Sequence, residues 1–417
     1  MQRVAVIGSG VSGLTAAYAL RATHDVTLFE QDARFGGHAH THALTDSAGA
    51  PQAIDSGFIV HNDRTYPTLL RLFDELGVET RPTEMSMSIA CDGCGLAYSG
   101  GRGARGIFAQ RRRLLDARFL GMLTEVPRFH REAQALLDDV NVGDVTWGEF
   151  LDRGGYSQYF VRHFAIPLVS CVWSSGDADT RLYPARHLFA FLRNHGMLSI
   201  SGSPQWRTVV GGSATYVQRI IDALPNAQRS TGVVSVKRHE HGVDVTTVDG
   251  ATHTFDAAVM ATHADDALRI LADATDEERA LLSAFEYSKN NTWLHTDTAV
   301  LPEPRARGSW NYRLDACDSD AAQVLVSYWM NHLHRIDAAD DFLVTLNPQG
   351  RVSDDKVIAR MEYAHPVFTP AAVAAAPRLQ DAGGPRLAFA GAHLGWGFHE
   401  DGARSGLYAA RRLGATW

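Results

Sequence analysis

Apolar and polar positions alternate along this chain in short runs of two kinds. Val4–Ile7 is continuously apolar and is bounded by glycine, the pattern of a buried strand. An alanine-rich stretch to about Leu20 reads as a helix, and "DVTLFE" (25–30) returns to strand character, ending in Glu30. "IDSGFIVHNDRTYPTLLRLFDELGV" (54–78) gives a strand, a loop and a helix. "MSMSIACDGCGLAYSG" (85–100) alternates on either side of Asp92-Gly93, which predicts a hairpin closed by a two-residue turn. Apolar residues at three- and four-residue spacing predict a helix over 111–140, two shorter helices over 146–175 parted at Gly154-Gly155, and another over 183–198. Gly211-Gly212 precedes a further helix ending near 220. Strands follow from 285, and 308–316 and 324–336 read as a pair. Strand–helix units at both ends around a helical middle predict an α/β fold.

The first of these units carries chemistry. Between the first strand and the first helix stands Gly8-x-Gly10-x-x-Gly13, with Val11 and Ser12 opening the helix. Gly8 permits the tight turn, Gly10 lets a pyrophosphate approach the backbone, and Gly13 lets helix and strand pack closely. The helix N-terminus offers free N–H groups and partial positive charge to phosphates. Glu30 at the end of the second strand, followed by Gln31, is placed to accept from both ribose hydroxyls, which argues against a 2′-phosphate. The expected ligand is an adenine dinucleotide. Gly36-Gly37, followed by His38, lets the chain pass close to a second stretch of it. Gly57 and Phe58 come next in the strand–loop segment.

Three groups of residues carry a resemblance: "GSGVSGL", the "E-x-x-x-R-x-GG" that follows, and the "D-x-G" of Asp55 and Gly57. They resemble the flavin monoamine oxidase and phytoene desaturase superfamily. "STGVVSVKRHEHGVDVTTVDGATHTFDAAVMATH" (230–263) resembles its second adenine-side segment, which implies Val233 against adenine and Ala261 beside the pyrophosphate. "RLAFAGAHLGWGFHEDGARSGLYAARRLG" (386–414) resembles its C-terminal flavin motif. The similarity spans the whole chain and looks nearest to a bacterial subfamily ending in "GFHEDG", whose members accompany cyclopropane synthase-type fatty-acid methyltransferases. It implies non-covalent FAD. It also implies an FAD-binding Rossmann-type domain of 1–75, 205–265 and 383–417, and a mixed α+β substrate domain of 76–204 and 266–382.

On that resemblance the last helix aims its N-terminus at the flavin, stabilising negative charge on the reduced ring. Gly402 and Ala403 are expected to start it, with Asp401 as N-cap and Gly391 near the cofactor. His399 takes the place of an aromatic wall residue. It could orient a carbonyl, shuttle a proton or fill space, and Glu400 either partners it or faces solvent. The superfamily's lysine position falls on Asn291, a departure that weakens an amine-oxidase assignment. Trp310, Tyr312 and Tyr328 are expected to line a substrate pocket. The implied reaction is desaturation or double-bond isomerisation of a fatty-acyl or related lipid, with hydride transfer to flavin N5. The alternatives are amine oxidation, and a non-catalytic flavoprotein accessory to a lipid methyltransferase.

Composition adjusts this picture only locally. The 417 residues are 45% hydrophobic and 21% charged, with a formal net charge of -8, ordinary for a globular protein and unsuited to nucleic-acid binding. No run is long enough to span a bilayer, and the expected location is cytoplasmic. Arg102, Arg105, Arg111, Arg112, Arg113 and Arg118 stand beside Ile107, Phe108, Leu114, Leu115 and Phe119. Residues 102–119 read either as a solvated helix face or as a peripheral seat on anionic lipid. Cys91 and Cys94 flank the hairpin turn, while Cys171 and Cys317 are isolated. With no second pair to complete a zinc site, no metal ligand is expected.

Overall fold

The computed structural model describes residues 1–139, 143–199, 202–318, 324–348 and 350–417. Its framework is a five-stranded, wholly parallel sheet in the order Asn226–Gln228, Asp25–Phe29, Arg3–Ile7, Ala257–Met260, Leu387–Phe389. The strands therefore come from both ends and the middle of the sequence. They are short and apolar because both faces of a parallel sheet are covered. One face carries the first helix, Val11–Leu20, every residue of which is buried, and the last helix, His399–Arg412. The other face is covered by Ala264–Ile270, Asp276–Leu282 and Pro370–Asp381.

A second, seven-stranded sheet runs in the order Val357–Val367, Glu286–His295, Leu343–Leu346, Val326–Trp329, Trp310–Leu314, Met87–Cys91, Leu96–Gly100. All its pairings are antiparallel except that of Trp310–Leu314 with Met87–Cys91. A helical layer over one end, comprising Ala117–Asp138, Trp147–Gly154, Gln158–Phe160, Ile166–Trp173 and Ala185–Asn194, buries Phe119, Phe129, Trp147, Phe160 and Phe189 against this sheet in one apolar cluster. The α/β reading, with mixed sheets, is the observed architecture.

Several local expectations are corrected. Cys91 pairs with Leu96, so the hairpin loop is the four residues Asp92–Gly95 rather than a two-residue turn. The helix expected over 111–140 is interrupted. Arg111–Leu115 is a 3₁₀ turn, and the α-helix starts at Ala117 because the Asp116 carboxylate caps it, accepting from the Arg118 and Phe119 N–H groups. Residue 140 lies outside the described residues. Within 102–119, Phe119 and Arg113 are buried, Arg113 in an ion pair with Asp116 at 2.6 Å, while Leu114 and Leu115 are exposed. The strand expected over 324–336 ends at Trp329, where Met330–His334 forms a short helix. No helix of the described residues is long and apolar enough to cross a membrane.

Candidate active site

A cavity of about 540 Å³ runs from the carboxyl ends of the parallel strands to the face of the seven-stranded sheet, where ligands bind in open α/β sheets. At the near end, Gly8 turns with φ +99°. A Cβ on Gly13 would lie 1.9 Å from the Gly8 carbonyl oxygen, so only glycine lets the first helix sit on its strand. A Cβ on Gly10 would meet nothing within 4 Å. Gly10 is the N-cap and supplies no side-chain acceptor, so the first N–H groups of the helix, at Val11 and Ser12, are available beside the cavity both residues line. These features fit a dinucleotide pyrophosphate.

Glu30 lines the same end and also ties the loop together. Its Oε2 accepts from the Ser9 N–H at 3.0 Å and from Ser9 Oγ at 2.5 Å, and its Oε1 accepts from the Asp32 N–H. Ser9 takes both lone pairs of Oε2, and Oε1 keeps one for a ribose hydroxyl. Gln31, Gly37, His38, Gly57, Phe58, Val233, Ala261 and Gly391 all line the cavity. Gly36 does not. It turns at φ +116° and donates its N–H to Ser9, so it shapes the loop rather than touching a ligand. His38 Nε2 is buried with no partner of its own, in a residue that lines the cavity.

The last helix begins three residues earlier than expected. His399 is its first residue, because the Asp401 carboxylate reaches back to accept from the Phe398 N–H at 3.1 Å. An acid three residues into a helix fills that role as well as an N-cap acid does. Burial raises the Asp401 pKa to about 6 against the pull of Arg404, which bonds it at 2.9 Å. Asp401, Gly402 and Ala403 therefore lie behind the cavity wall, and Gly397, Phe398 and His399 form it. A Cβ on Gly402 would sit 2.5 Å from Val11 Cγ1, so this glycine serves helix packing.

His399 lies on the wall, stacked on Phe58 with ring centroids 3.7 Å apart, its Nε2 3.1 Å from the Tyr216 hydroxyl. Burial lowers its pKa to about 3, so it is neutral at physiological pH. Glu400 is not its partner. The Glu400 carboxylate is turned away and accepts from the Thr68 and Leu69 N–H groups, each at 3.0 Å. It thereby caps the helix Pro67–Leu76, whose own N-cap residue, Tyr66, provides no acceptor. The catalytic expectation for Glu400 is corrected to this capping role.

Two substrate-side expectations also change. Asn291 is exposed, on the outward face of a strand whose even positions, Asn290, Thr292 and Leu294, are buried. Lys289 shares that outward face and pairs with Glu362 at 3.2 Å near the rim. Tyr312 is buried in the core. Two residues beyond Trp310 the strand has advanced nearly 7 Å, and its neighbour across the sheet is the buried Val326. Trp310 and Tyr328 do line the cavity, as a cross-strand pair with centroids 5.5 Å apart. The Trp310 indole N–H is buried without a partner.

Sequence reasoning named His38 and His399 but missed His263, His365 and His393, which line the cavity with them. Burial first, then neighbouring imidazoles, hold the pKa of His365 to about 4 and of His393 to about 3 and lower that of His38, while burial lowers that of His263 against the pull of Asp265 and Asp266. A signal was available for two of them. His263 and His393 follow "MAT" and "FAGA" at the carboxyl ends of neighbouring parallel strands.

The family model described as flavin containing amine oxidoreductase matches residues 11–414. No curated protein matches the chain. Among solved structures, a cofactor-redesigned triple mutant of putrescine oxidase aligns with a TM-score of 0.73 at 15% identity over 98% of each chain. Cyclohexylamine oxidase from Brevibacterium oxydans IH-35A aligns at 0.71 and 17% over 99% of this chain and 98% of its own. A CLA-producing fatty acid isomerase from P. acnes aligns at 0.69 and 16% over 99% of each. Such identities establish a common fold.

Two outcomes follow from this geometry. Glu400→Ala leaves two helix N–H groups without an acceptor and should cost about 3 kcal/mol in denaturant unfolding, with the flavin spectrum retained. Unchanged stability with lost turnover would return Glu400 to a catalytic role. The buried histidines set the pH response. They stay neutral in the fold, while in the unfolded chain they protonate below their ordinary 6.5. Stability is therefore complete above 6.5 and falls as pH drops toward the folded values. At pH 5 each of His365, His393 and His399 should withhold about 2 kcal/mol. Equal urea midpoints at pH 7 and about pH 5 would contradict this assignment.

Proposed function

The chain belongs to the flavin-containing amine oxidoreductase family and is an FAD-dependent oxidoreductase. On that premise we propose that its substrate is hydrophobic, a fatty-acyl chain or related lipid that undergoes dehydrogenation or double-bond isomerisation. The observation that carries this reading is the composition of the cavity's far end. Cys171, Val172, Trp173, Trp310, Tyr328 and Leu346 form it, and the elements that contribute them bring no charged side chain to the cavity. The charged lining residues, such as Glu30, Asp32 and Asp266, come from the cofactor end, and Glu362 comes from the rim. A protonated amine would enter the far end unpaired, at a cost of several kcal/mol. An acyl chain gains about 0.8 kcal/mol for each methylene it buries there.

Bound FAD supplies hydride acceptance. The chain's part is binding, orientation and exclusion of water. The N-termini of Val11–Leu20 and His399–Arg412 bring partial positive charge to the cavity wall at two places. His399, fixed between Phe58 and Tyr216, is an uncharged wall. It can orient a carbonyl through one hydrogen bond but holds no acidic proton at neutral pH. No cysteine stands in the segment 386–414, which supports non-covalent attachment. On the same reading, 1–75, 205–265 and 383–417 carry the cofactor, and 76–204 and 266–382 shape the substrate end.

The surface at 102–119 extends the proposal. Leu114 and Leu115 are 51% and 92% exposed beside the exposed Arg111 and Arg112, a combination suited to anionic headgroups. An acyl methyltransferase partner belongs to the same reading, through the "GFHEDG" resemblance.

Anaerobic addition of unsaturated or methyl-branched acyl lipid should bleach the flavin absorbance, or convert the lipid to a positional isomer detected by mass spectrometry. Primary amines should do neither. Bleaching by amines alone would replace this reading with amine oxidation. No response to either, together with a co-purifying methyltransferase, would replace it with the accessory role.

A further inference from the structure

Away from the cavity, the fold gathers four residues that the sequence keeps far apart. Cys91 ends a strand and Cys94 stands in the loop that follows it. Cys317 lies three residues beyond the strand Trp310–Leu314, whose Leu314 is in register with Cys91. His163 sits in the middle of Val161–Ala165, a π-helical turn between two α-helical segments, and such turns concentrate at functional sites. One ligand atom from each of the four lies within 4.8 Å of every other. None of the four lines the cavity.

The spacing is that of a coordination tetrahedron. Cys91 Sγ and Cys317 Sγ are 3.7 Å apart, and Cys94 Sγ and His163 Nε2 are 3.7 Å apart. Four ligands around zinc, with bonds of about 2.3 Å to sulfur and about 2.0 Å to nitrogen, have edges of about 3.8 Å between sulfurs and about 3.5 Å between sulfur and nitrogen. The tautomer is also set. His163 Nδ1 lies 3.0 Å from the Tyr159 carbonyl oxygen, so Nδ1 carries the hydrogen and donates it, leaving the Nε2 lone pair directed at the cysteines.

The loop is held in place from outside. Arg113 donates to the Cys94 carbonyl at 2.8 Å and Arg112 to the Gly95 carbonyl at 2.9 Å. A Cβ on Gly93 would lie 2.9 Å from Ala316 Cα, so glycine is what lets the segment bearing Cys317 come this close. All four cysteines of the chain are free thiols.

We propose that Cys91, Cys94, His163 and Cys317 bind one zinc ion in a closed, four-coordinate structural site. Four protein ligands leave no open position for catalysis. Three thiolates and a neutral imidazole around Zn²⁺ carry one net negative charge. The ion staples the edge of the seven-stranded sheet to the helical segment Gln158–Trp173, the segment whose end supplies Cys171, Val172 and Trp173 to the cavity wall.

The test uses the reduced, flavin-loaded protein. Elemental analysis after incubation with zinc chloride and removal of excess should find one zinc per chain. Cobalt(II) taken up by the chelated protein under anaerobic conditions should give the intense visible bands of tetrahedral thiolate coordination, lost again when zinc is added. Cys94→Ser and His163→Gln should each lose the tightly held metal while keeping their flavin. Chelation of the wild type should lower its melting temperature. A wild-type protein that takes up no zinc, variants that keep wild-type zinc content, or a Cys91–Cys317 disulfide in freshly purified protein would each overturn the site. Metal analysis of the wild type decides the matter even if a variant fails to fold.

Discussion

The structure depends on one close contact, that between the first helix and the last. A Cβ on Gly406 would lie 2.1 Å from the Ser12 carbonyl oxygen, and one on Gly402 would lie 2.5 Å from Val11 Cγ1. With Gly13 against the Gly8 carbonyl, three glycines let the first strand, the first helix and the last helix interlock at backbone distance. Residues hundreds of positions apart thereby bring two helix N-termini to one cavity, the first with the N–H groups of Val11 and Ser12, and both with a partial positive charge. No loop residue could supply that alignment, because it is fixed by packed helix axes.

Other parts of the site are tied to this contact. Leading into the last helix, Asp401 fixes the first turn and His399 faces the cavity, while Glu400 reaches across to cap Pro67–Leu76. A further buried acid, Asp55, accepts from Ser213 and Thr41 and joins the strand before Gly57 to the start of the helix at Ala214. Buried carboxylates thus act as fasteners between distant segments, each satisfied by hydrogen bonds. The cavity wall itself is lined with imidazoles kept neutral by burial. The result is a charged, hydrogen-bonding cofactor end continuous with an uncharged far end, a division of labour that suits a polar cofactor beside an apolar substrate.

What was legible in the sequence was local. The glycine spacing after a strand, the acid at Glu30 and the turn at Gly36-Gly37 depend on backbone geometry within a few residues, and the cavity forms around them. The α/β class followed from periodicity. What failed needed partners remote in sequence. Period-two alternation shows that Lys289 and Asn291 share a face but not which face turns inward, since that depends on the covering layer. Trp310 and Tyr312 share a face, yet only one reaches the cavity. Asp401 is equally suited to two positions in a first helical turn, and its bond to Phe398 decides between them. The destination of Glu400 is a helix 331 residues away. Cys317 looked isolated because Cys91, 3.7 Å away in the fold, is 226 residues distant.

The central claim is that helix packing at the back of the site builds the cofactor cradle at the front. Gly406→Ala tests it most directly, because Gly406 touches no part of the cavity. The account predicts a variant about 3 kcal/mol less stable that loses FAD in parallel, measured as flavin absorbance per chain alongside the unfolding midpoint. A variant that purifies fully yellow, with the wild-type midpoint, would contradict it.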